Sequence, residues 1–124
     1  MNSTPHAPAI LVADDNDQIR ALVAEILRER GYRVFEAATG EEALAACGEG
    51  LALVVADIVM PPDGGLAIVD ALRERVAGLK VLFMSGYGAL HLGADDVDPV
   101  LSKPFTSDEL LSRVVELAPA AGER

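Results

Sequence analysis

Short apolar runs alternate with segments of helical periodicity along the chain, and this alternation limits the possible folds more than any other feature. Two of the runs, Leu51–Ala56 and Leu79–Met84, are nearly continuous in hydrophobic residues, as strands buried on both faces are. Strands that alternate with amphipathic helices form a parallel sheet with helices on both faces and right-handed crossovers. We therefore predict a doubly wound α/β fold in which a strand-helix unit is repeated five times.

The predicted elements follow from the apolar periods and the residues that flank them. The strands are Ala9–Ala13, Tyr32–Ala37, Leu51–Ala56, Leu79–Met84 and Val100–Ser102. Asn16 is expected to cap the first helix, and capping-box patterns open a helix through Cys47 at Thr39-Gly-Glu-Glu42 and the last helix at Thr106-Ser-Asp-Glu109. The third helix ends near Gly78, and the fourth helical segment falls in residues 86–98, where the pattern is weak. The helical residues expected to face the core are Ile19, Leu22, Val23, Ile26, Leu27, Leu66, Val69, Ala71, Leu72, Leu110, Leu111, Val114, Val115 and Leu117.

Composition narrows the class of protein. A chain of 124 residues fits one domain, which we place at residues 9–118, between a disordered leader (1–8) and a C-terminal tail (119–124). The net charge of −10 argues against binding to DNA, RNA or anionic lipid, because those partners require a basic surface. No apolar run approaches the ~20 residues of a membrane span. The single cysteine, Cys47, excludes an internal disulfide and suits a reducing cytoplasm, where we expect the protein.

Polar residues stand at the carboxyl end of four predicted strands. The first strand ends in Asp14 and Asp15, the third in Asp57, the fourth in Ser85 and the fifth in Lys103. Ligands of open parallel sheets bind at these strand ends, near the point where the strand order reverses. The order 2-1-3-4-5, adopted here as that of small doubly wound folds, makes the first and third strands neighbours, ~4.8 Å apart. We expect the three carboxylates to share one small pocket.

Such a pocket has the parts needed for phosphoryl transfer. Three adjacent carboxylates repel one another, and a divalent cation would compensate their charge. Mg²⁺ is commonly held by one or two carboxylates together with waters and a phosphate oxygen. Lys103 supplies a positive charge for an anion, Ser85 supplies a hydroxyl that can hydrogen-bond to it, and Asp57 is a possible nucleophile. The set indicates a phosphoryl-transfer site.

The sequence resembles the response-regulator receiver domain, the chemotaxis-type phosphoacceptor module of two-component signalling. The resemblance covers residues 9–118 and rests on five features in order. These are Asp14-Asp15, the stretch Asp57-Ile-Val-Met-Pro61, Gly65 eight residues after Asp57, Ser85 after an apolar strand, and Lys103-Pro104-Phe105. It implies a flavodoxin-like (βα)5 fold and a cis Lys103–Pro104 bond.

The resemblance also implies roles for single residues. Asp57 would accept a phosphoryl group from a histidine kinase or phosphotransfer protein. Mg²⁺ would be held by Asp14, Asp15, Asp57 and the backbone carbonyl of Val59. Lys103 would pair with the phosphoryl group, and Ser85 would hydrogen-bond to it. The domain would catalyse its own phosphorylation and dephosphorylation, and would signal to a downstream protein effector.

Two departures from the family pattern concern how the switch works. Val100 stands where receivers usually carry Tyr or Phe, and residues 86–98 are short and glycine-rich for a fourth helix. We expect that an increase in order in residues 86–98 replaces the usual inward rotation of the aromatic side chain. Tyr87 and Val59 flank the site in sequence, and we expect them to shield the acyl phosphate from water, so that self-dephosphorylation is slow.

Four functional hypotheses remain open from the sequence. The first is a stand-alone phosphoacceptor switch, which the Met1 start favours, or the receiver part of a hybrid histidine kinase. The second is a degenerate receiver that binds a protein partner without phosphorylation. The third is a magnesium phosphohydrolase with an aspartate nucleophile, although Val59 stands where such enzymes commonly carry a second Asp. The fourth is a flavin-binding domain, which the acidic turn Asp14-Asp15-Asn16-Asp17 opposes.

Overall fold

The protein folds around a single parallel sheet, as seen in a computed structural model that describes residues 8–48, 50–60, 64–86 and 99–119. The five strands run β2-β1-β3-β4-β5 across the sheet, and every pair is parallel. Their bounds are β1 Ala9–Ala13, β2 Arg33–Ala37, β3 Leu51–Asp57, β4 Lys80–Ser85 and β5 Val100–Ser102. The predicted fold class and strand order are confirmed.

Within the described residues three helices connect strands and a fourth follows β5. They are α1 Asp17–Glu29, α2 Gly40–Ala46, α3 Gly65–Arg75 and α4 Ser107–Leu117. The predictions for residues 87–98, including the fourth helical segment and Tyr87, lie outside the part of the chain that the structure describes. None of the helices found in the described ranges is long and apolar enough to cross a bilayer.

The two capping boxes predicted from sequence differ in outcome. At α4 the box is complete, because the Thr106 hydroxyl accepts from the Glu109 N–H while the Glu109 carboxylate accepts from the Thr106 N–H. At α2 the Thr39 hydroxyl accepts from the Glu42 N–H, but the Glu42 carboxylate accepts from the N–H of Ala38 at 2.7 Å. The reciprocal half of the predicted box at Thr39 is therefore wrong. The Glu42 side chain satisfies the donor one residue earlier instead.

Each face of the sheet carries its own hydrophobic core, which explains why the central strands are apolar without alternation. Along β3, Val54 and Ala56 belong to the core under α2 and α3, whereas Leu53 and Val55 belong to the core under α1 and α4. The helical residues that close the two cores are Ala43, Ile68, Val69 and Leu72 on one face and Val23, Leu27, Leu110 and Val114 on the other. The site at the strand ends therefore rests on a support that is packed on both sides.

Two helical residues that were expected to face the core are exposed instead. Leu22 in α1 is 55% exposed and Leu66 in α3 is 45% exposed. A helix packed on a sheet buries only one stripe of its surface. In α3 this stripe runs through Gly65, Ile68, Val69 and Leu72, which leaves Leu66 on the flank. The prediction missed Ile68, which is buried. Leu22 lines a surface groove beside the residues that follow β5.

Candidate functional site

The register of the sheet brings the polar strand ends to one edge. Ala13 at the end of β1 lies opposite Ala56, so Asp14 and Asp57 follow equivalent positions on neighbouring strands. Across the next pairs, Asp57 lies opposite Met84, and Ser85 lies opposite Ser102. Because parallel strands all point the same way, the side chains that follow them converge above the same edge.

Three carboxylates meet at this edge, as predicted. Asp14, Asp15 and Asp57 each offer an oxygen, and these oxygens all lie within 4.8 Å of one another. Asp14 is fully buried and Asp57 is 8% exposed, whereas Asp15 is exposed. The cluster is therefore open to solvent on the side of Asp15 and closed on the side of Asp14.

Lys103 joins this cluster from the loop after β5. Its Nζ lies 2.6 Å from Asp57 Oδ2 and 3.2 Å from Asp14 Oδ2, so it donates to both buried carboxylates. One ammonium among three carboxylates leaves an excess of negative charge at the site. The bond from Lys103 to Pro104 is cis, as the family resemblance implied.

Burial and charge act against each other on the ionisable groups. Burial raises the pKa of the Asp14 carboxyl, and the negative charge of Asp57 adds to this rise, while the Asn16 N–H and Lys103 oppose it. Burial alone would lower the pKa of the Lys103 ammonium, but the hydrogen bond that Lys103 donates to Asp57 and the charges of both aspartates raise it. The site thus holds Lys103 charged, and it disfavours the charge on Asp14.

Backbone groups fix both buried carboxylates. The Val59 N–H donates to Asp57 Oδ1 at 2.9 Å, and the Asn16 N–H donates to Asp14 Oδ1 at 2.8 Å. The Asn16 side chain in turn caps α1 by accepting from the Ile19 N–H. Each carboxylate is therefore held in one orientation by the loop that follows its own strand.

The turn behind Asp57 depends on a close approach of two backbone segments. The Gly65 N–H donates to the Ile58 carbonyl at 2.7 Å, which places the start of α3 directly against the end of β3. A Cβ at position 65 would overlap the Asp57 carbonyl oxygen and lie 2.9 Å from its carbon. Only glycine fits here, because any side chain would push on the backbone that carries Asp57.

The carboxylates and Lys103 line an open cleft of about 380 Å³. Asp14, Asp15, Asn16, Asp57, Val59, Gly86 and Lys103 form its wall. The predicted residues are thus brought together, except for Ser85. This residue is 2% exposed and does not itself line the cleft, although its neighbour Gly86 does. Ser85 is nevertheless tied to the site, since its carbonyl accepts from the Lys103 N–H at 2.8 Å.

Sequence reasoning missed two residues around the cleft. Asn16 was identified only as a helix cap, but it also lines the cleft and orients Asp14. Arg20 was not singled out, although its guanidinium donates to the Asp14 carbonyl at 2.9 Å. The spacing of three between Asp17 and Arg20 was a signal for their ion pair, but no local pattern predicts a contact with the backbone of a preceding loop.

Comparisons with a family model and with curated proteins point to the same family. The family model of the response regulator receiver domain matches residues 10–115. Sensor kinase CckA of Brucella abortus (strain 2308) is 36% identical over 115 residues, which cover 87% of this chain and 12% of CckA. Transcriptional regulatory protein CpxR of Escherichia coli (strain K12) is 33% identical over 112 residues, which cover 85% of this chain and 47% of CpxR. The chain therefore spans less than half the length of these curated relatives.

Solved structures agree with this family at the level of fold. The receiver domain from the hybrid histidine kinase CckA superposes with a TM-score of 0.77 at 33% identity, covering 88% of this chain and 97% of that domain. The response regulator protein TrrA from Thermotoga maritima, solved in complex with Mg²⁺-BeF, superposes with a TM-score of 0.76 at 35% identity, covering 89% and 98%. Together with the acidic cleft at the strand ends, these matches show that the chain belongs to the response regulator receiver domain family of two-component systems.

Proposed function

We propose that this protein is a phosphoacceptor switch that takes a phosphoryl group onto Asp57 and signals through contact with another protein. The observation that carries the proposal is the convergence of three carboxylates with Lys103, whose Nζ lies 2.6 Å from Asp57 Oδ2. Receiver domains in general bind Mg²⁺ at an acidic pocket of this kind. They also interact with histidine kinases and effectors, and we infer that the phosphoryl donor is a histidine kinase or a phosphotransfer protein.

The donor set fits a magnesium ion. Asp14, Asp15 and Asp57 offer hard oxygen ligands within 4.8 Å of one another, and one side of the cluster faces solvent, from which water ligands would come. The Val59 carbonyl would add a further oxygen from the turn after β3. TrrA, a relative of the same fold, was solved with Mg²⁺-BeF. Bound Mg²⁺ would offset the charge of the carboxylates and of the incoming phosphoryl group.

The contacts of Asp57 define what must change during transfer. One oxygen holds the Val59 N–H and the other accepts from Lys103. An Asp57 oxygen forms the new bond to phosphorus as the bond to the donor histidine nitrogen breaks, and that nitrogen keeps the electron pair. Lys103 then shifts from the carboxylate to a phosphoryl oxygen, and the Ser85 hydroxyl donates to another. The products are an acyl phosphate on this chain and the free donor histidine.

The proposal also covers the bounds of the domain, its location in the cell and the lifetime of its phosphoryl group. We take residues 9–118 as the functional domain, since the ordered elements run from Ala9 to Leu117. The lone Cys47 suits a reducing cytoplasm, where we place the protein. Val59 is 53% exposed beside the cleft, which suits a shield against water and slow self-dephosphorylation. The Val59 side chain has no ionisable group that could serve as the acid or base of a phosphohydrolase, which counts against that function.

The similarity to CckA supports a second candidate. CckA is named a sensor kinase, and this chain matches 12% of its length, so a receiver inside a hybrid histidine kinase is the alternative context. A degenerate receiver that binds partners without phosphorylation has less support, because the acidic residues and Lys103 are present and in contact.

Phosphorylation by a small donor tests the proposal directly. The purified protein is incubated with acetyl phosphate, with and without Mg²⁺, and its intact mass is recorded. We expect a gain of one phosphoryl group that requires Mg²⁺ and is lost in Asp57→Asn. Asp70→Asn, a change of an exposed acid on α3, is the matched control and should be phosphorylated like wild type. A wild-type protein that gains no mass and binds no Mg²⁺ would instead support the binding-module hypothesis.

A further inference from the structure

Arg20 lies outside the cleft but contacts the loop that forms it. Its side chain is 16% exposed, and its guanidinium reaches three oxygen acceptors. These are the Asp14 carbonyl at 2.9 Å, Asp17 Oδ1 at 2.8 Å and Glu36 Oε1 at 3.4 Å. A planar fork of donors can hold several acceptors at fixed angles, whereas a lysine ammonium acts as a single point charge. Arg20 therefore connects the loop after β1 to the first turn of α1 and to β2.

The contact with the Asp14 carbonyl acts on a specific part of the site. That carbonyl belongs to the peptide unit joining Asp14 to Asp15, and a peptide unit is planar. Holding its oxygen fixes the orientation of the plane from which the Asp15 backbone departs. Asp14 is also held from inside the fold by its own side-chain contacts, but Asp15 is exposed and relies on the backbone for its position.

The charge around Arg20 is balanced outside the cleft. Asp17 and Glu36 lie against the guanidinium, and Glu36 also pairs with Arg28 at 3.1 Å. A bare positive charge next to the acidic cluster would oppose the binding of a cation. Because two carboxylates neutralise the guanidinium, Arg20 can orient the loop without that cost.

From this geometry we infer that Arg20 is a positioning residue for the cation site, which holds the Asp14–Asp15 peptide so that the Asp15 carboxylate points into the cleft. The inference rests on the proposed function, since it assumes that Asp14, Asp15 and Asp57 bind Mg²⁺. Partners that orient metal ligands typically change metal affinity by about 10–100-fold when they are removed.

Arg28 provides a matched control. Its side chain shares Glu36 with Arg20 and donates to the Val34 carbonyl at 2.9 Å, and both of these contacts lie on β2 instead of the loop after β1. Loss of either arginine removes a tie between α1 and β2. Only loss of Arg20 releases the Asp14–Asp15 peptide.

The test is the Mg²⁺ dissociation constant, measured by titration calorimetry for wild type, Arg20→Gln, Arg20→Lys and Arg28→Gln. We expect Arg20→Gln to weaken binding about 10-fold, and Arg28→Gln to stay within about 2-fold of wild type. Arg20→Lys keeps the charge but cannot hold all three acceptors, so we expect an intermediate weakening of about 3-fold. Saturating Mg²⁺ should restore most of the phosphorylation rate with acetyl phosphate, because positioning is needed for the ion to bind.

The outcomes separate this inference from the function on which it rests. A wild-type protein that binds no Mg²⁺ refutes the proposed function, and the inference falls with it. Wild-type affinity in Arg20→Gln, or an equal loss in Arg28→Gln, refutes the inference alone. Thermal melting without Mg²⁺ shows whether Arg20→Gln is folded. If it is not, Arg20→Lys decides, and unchanged affinity in that variant refutes the inference.

Discussion

Replacing Gly65 by alanine tests how the turn behind Asp57 holds this proposed phosphoacceptor. Gly65 is the first residue of α3 and does not have a left-handed φ, so helix propensity alone predicts that alanine stabilises the protein, by at most about 1 kcal/mol. The tertiary structure predicts the opposite sign. The added Cβ would overlap the Asp57 carbonyl oxygen and lie 2.9 Å from its carbon and 3.1 Å from the Ile58 Cα.

The size of the effect follows from these distances. Carbon atoms in contact normally lie about 3.5–4.0 Å apart, so the end of β3 and the start of α3 must separate by roughly 1 Å. Overpacking typically costs about 1–3 kcal/mol, and we expect the upper part of that range because the atoms that must move are backbone. This corresponds to a fall in Tm of roughly 10 °C. A shift of about 1 Å at a reacting group lowers the rate about 100-fold.

The assay combines melting with the rate of phosphorylation by acetyl phosphate. Gly78→Ala is the control, since Gly78 has φ +78° with open space around its Cβ position, so that alanine there meets strain of about 1–2 kcal/mol but no clash. We expect the control to lose a few degrees of Tm and to react at the wild-type rate. A Gly65→Ala protein that is as stable as wild type and phosphorylated at the wild-type rate would refute the reasoning.

Three further substitutions test the charges of the site and the N-cap of α4. Asp14→Asn should raise the urea midpoint of the metal-free protein at pH 7, because burial raises the pKa of this carboxyl above its ordinary value of 3.8. In wild type, a raised pKa of Asp14 means that protonation stabilises the folded state. This stabilisation is complete below about pH 3.8 and is lost as the pH rises through the raised pKa. The stability of Asp14→Asn relative to wild type should therefore increase with pH, and the difference should vanish in acid. Mg²⁺ at 100 times its Kd should stabilise wild type by about 2.7 kcal/mol and the variant much less, and an equal shift in both would contradict the metal assignment. Lys103→Met should cost about 1–3 kcal/mol in metal-free urea unfolding, since the Oδ2 atoms of Asp14 and Asp57 lose the ammonium that donates to them. The same change should tighten Mg²⁺ binding several-fold in calorimetry, and a weaker affinity would be inconsistent with a competing cation. Thr106→Ala should lower stability in thermal melting by about 1 kcal/mol through the lost cap of α4 and leave phosphorylation unchanged, and a slowed reaction would show that this cap also supports the site.

Local sequence patterns predicted most accurately the features that a single local interaction determines. The bounds of β1 and β5 match the prediction, and the cap at Thr106 forms as its spacing indicates. A continuous apolar run needs burial on both faces, so the run Leu51–Ala56 is enough to predict a strand inside a parallel sheet. The meeting of Asp14 with Asp57 followed from the common direction of the strands and from a strand order that was adopted from the fold class, since no local pattern specifies it.

Other features depend on which groups the fold brings together from distant parts of the chain. The exposure of Leu22 and Leu66 follows from how each helix is rotated against the sheet, and a helical period leaves that rotation free over the width of the apolar stripe. The Glu42 carboxylate accepts from the N–H of Ala38 and not from that of Thr39, and this choice depends on the path of the chain after β2.

The amino-acid sequence by itself determined the sheet, its order of elements and the residues that reach its functional edge, because alternation and strand ends are local properties. Only the tertiary structure decided the bond from Lys103 to Asp57, the contact of Arg20 with the Asp14 carbonyl and the close approach at Gly65. Each of these joins groups from different elements, and two of the three involve backbone atoms that every residue carries. The sequence singles out Gly65 and Lys103 as motif residues, but it does not show which atoms they contact, because those contacts are fixed by the packing of whole elements.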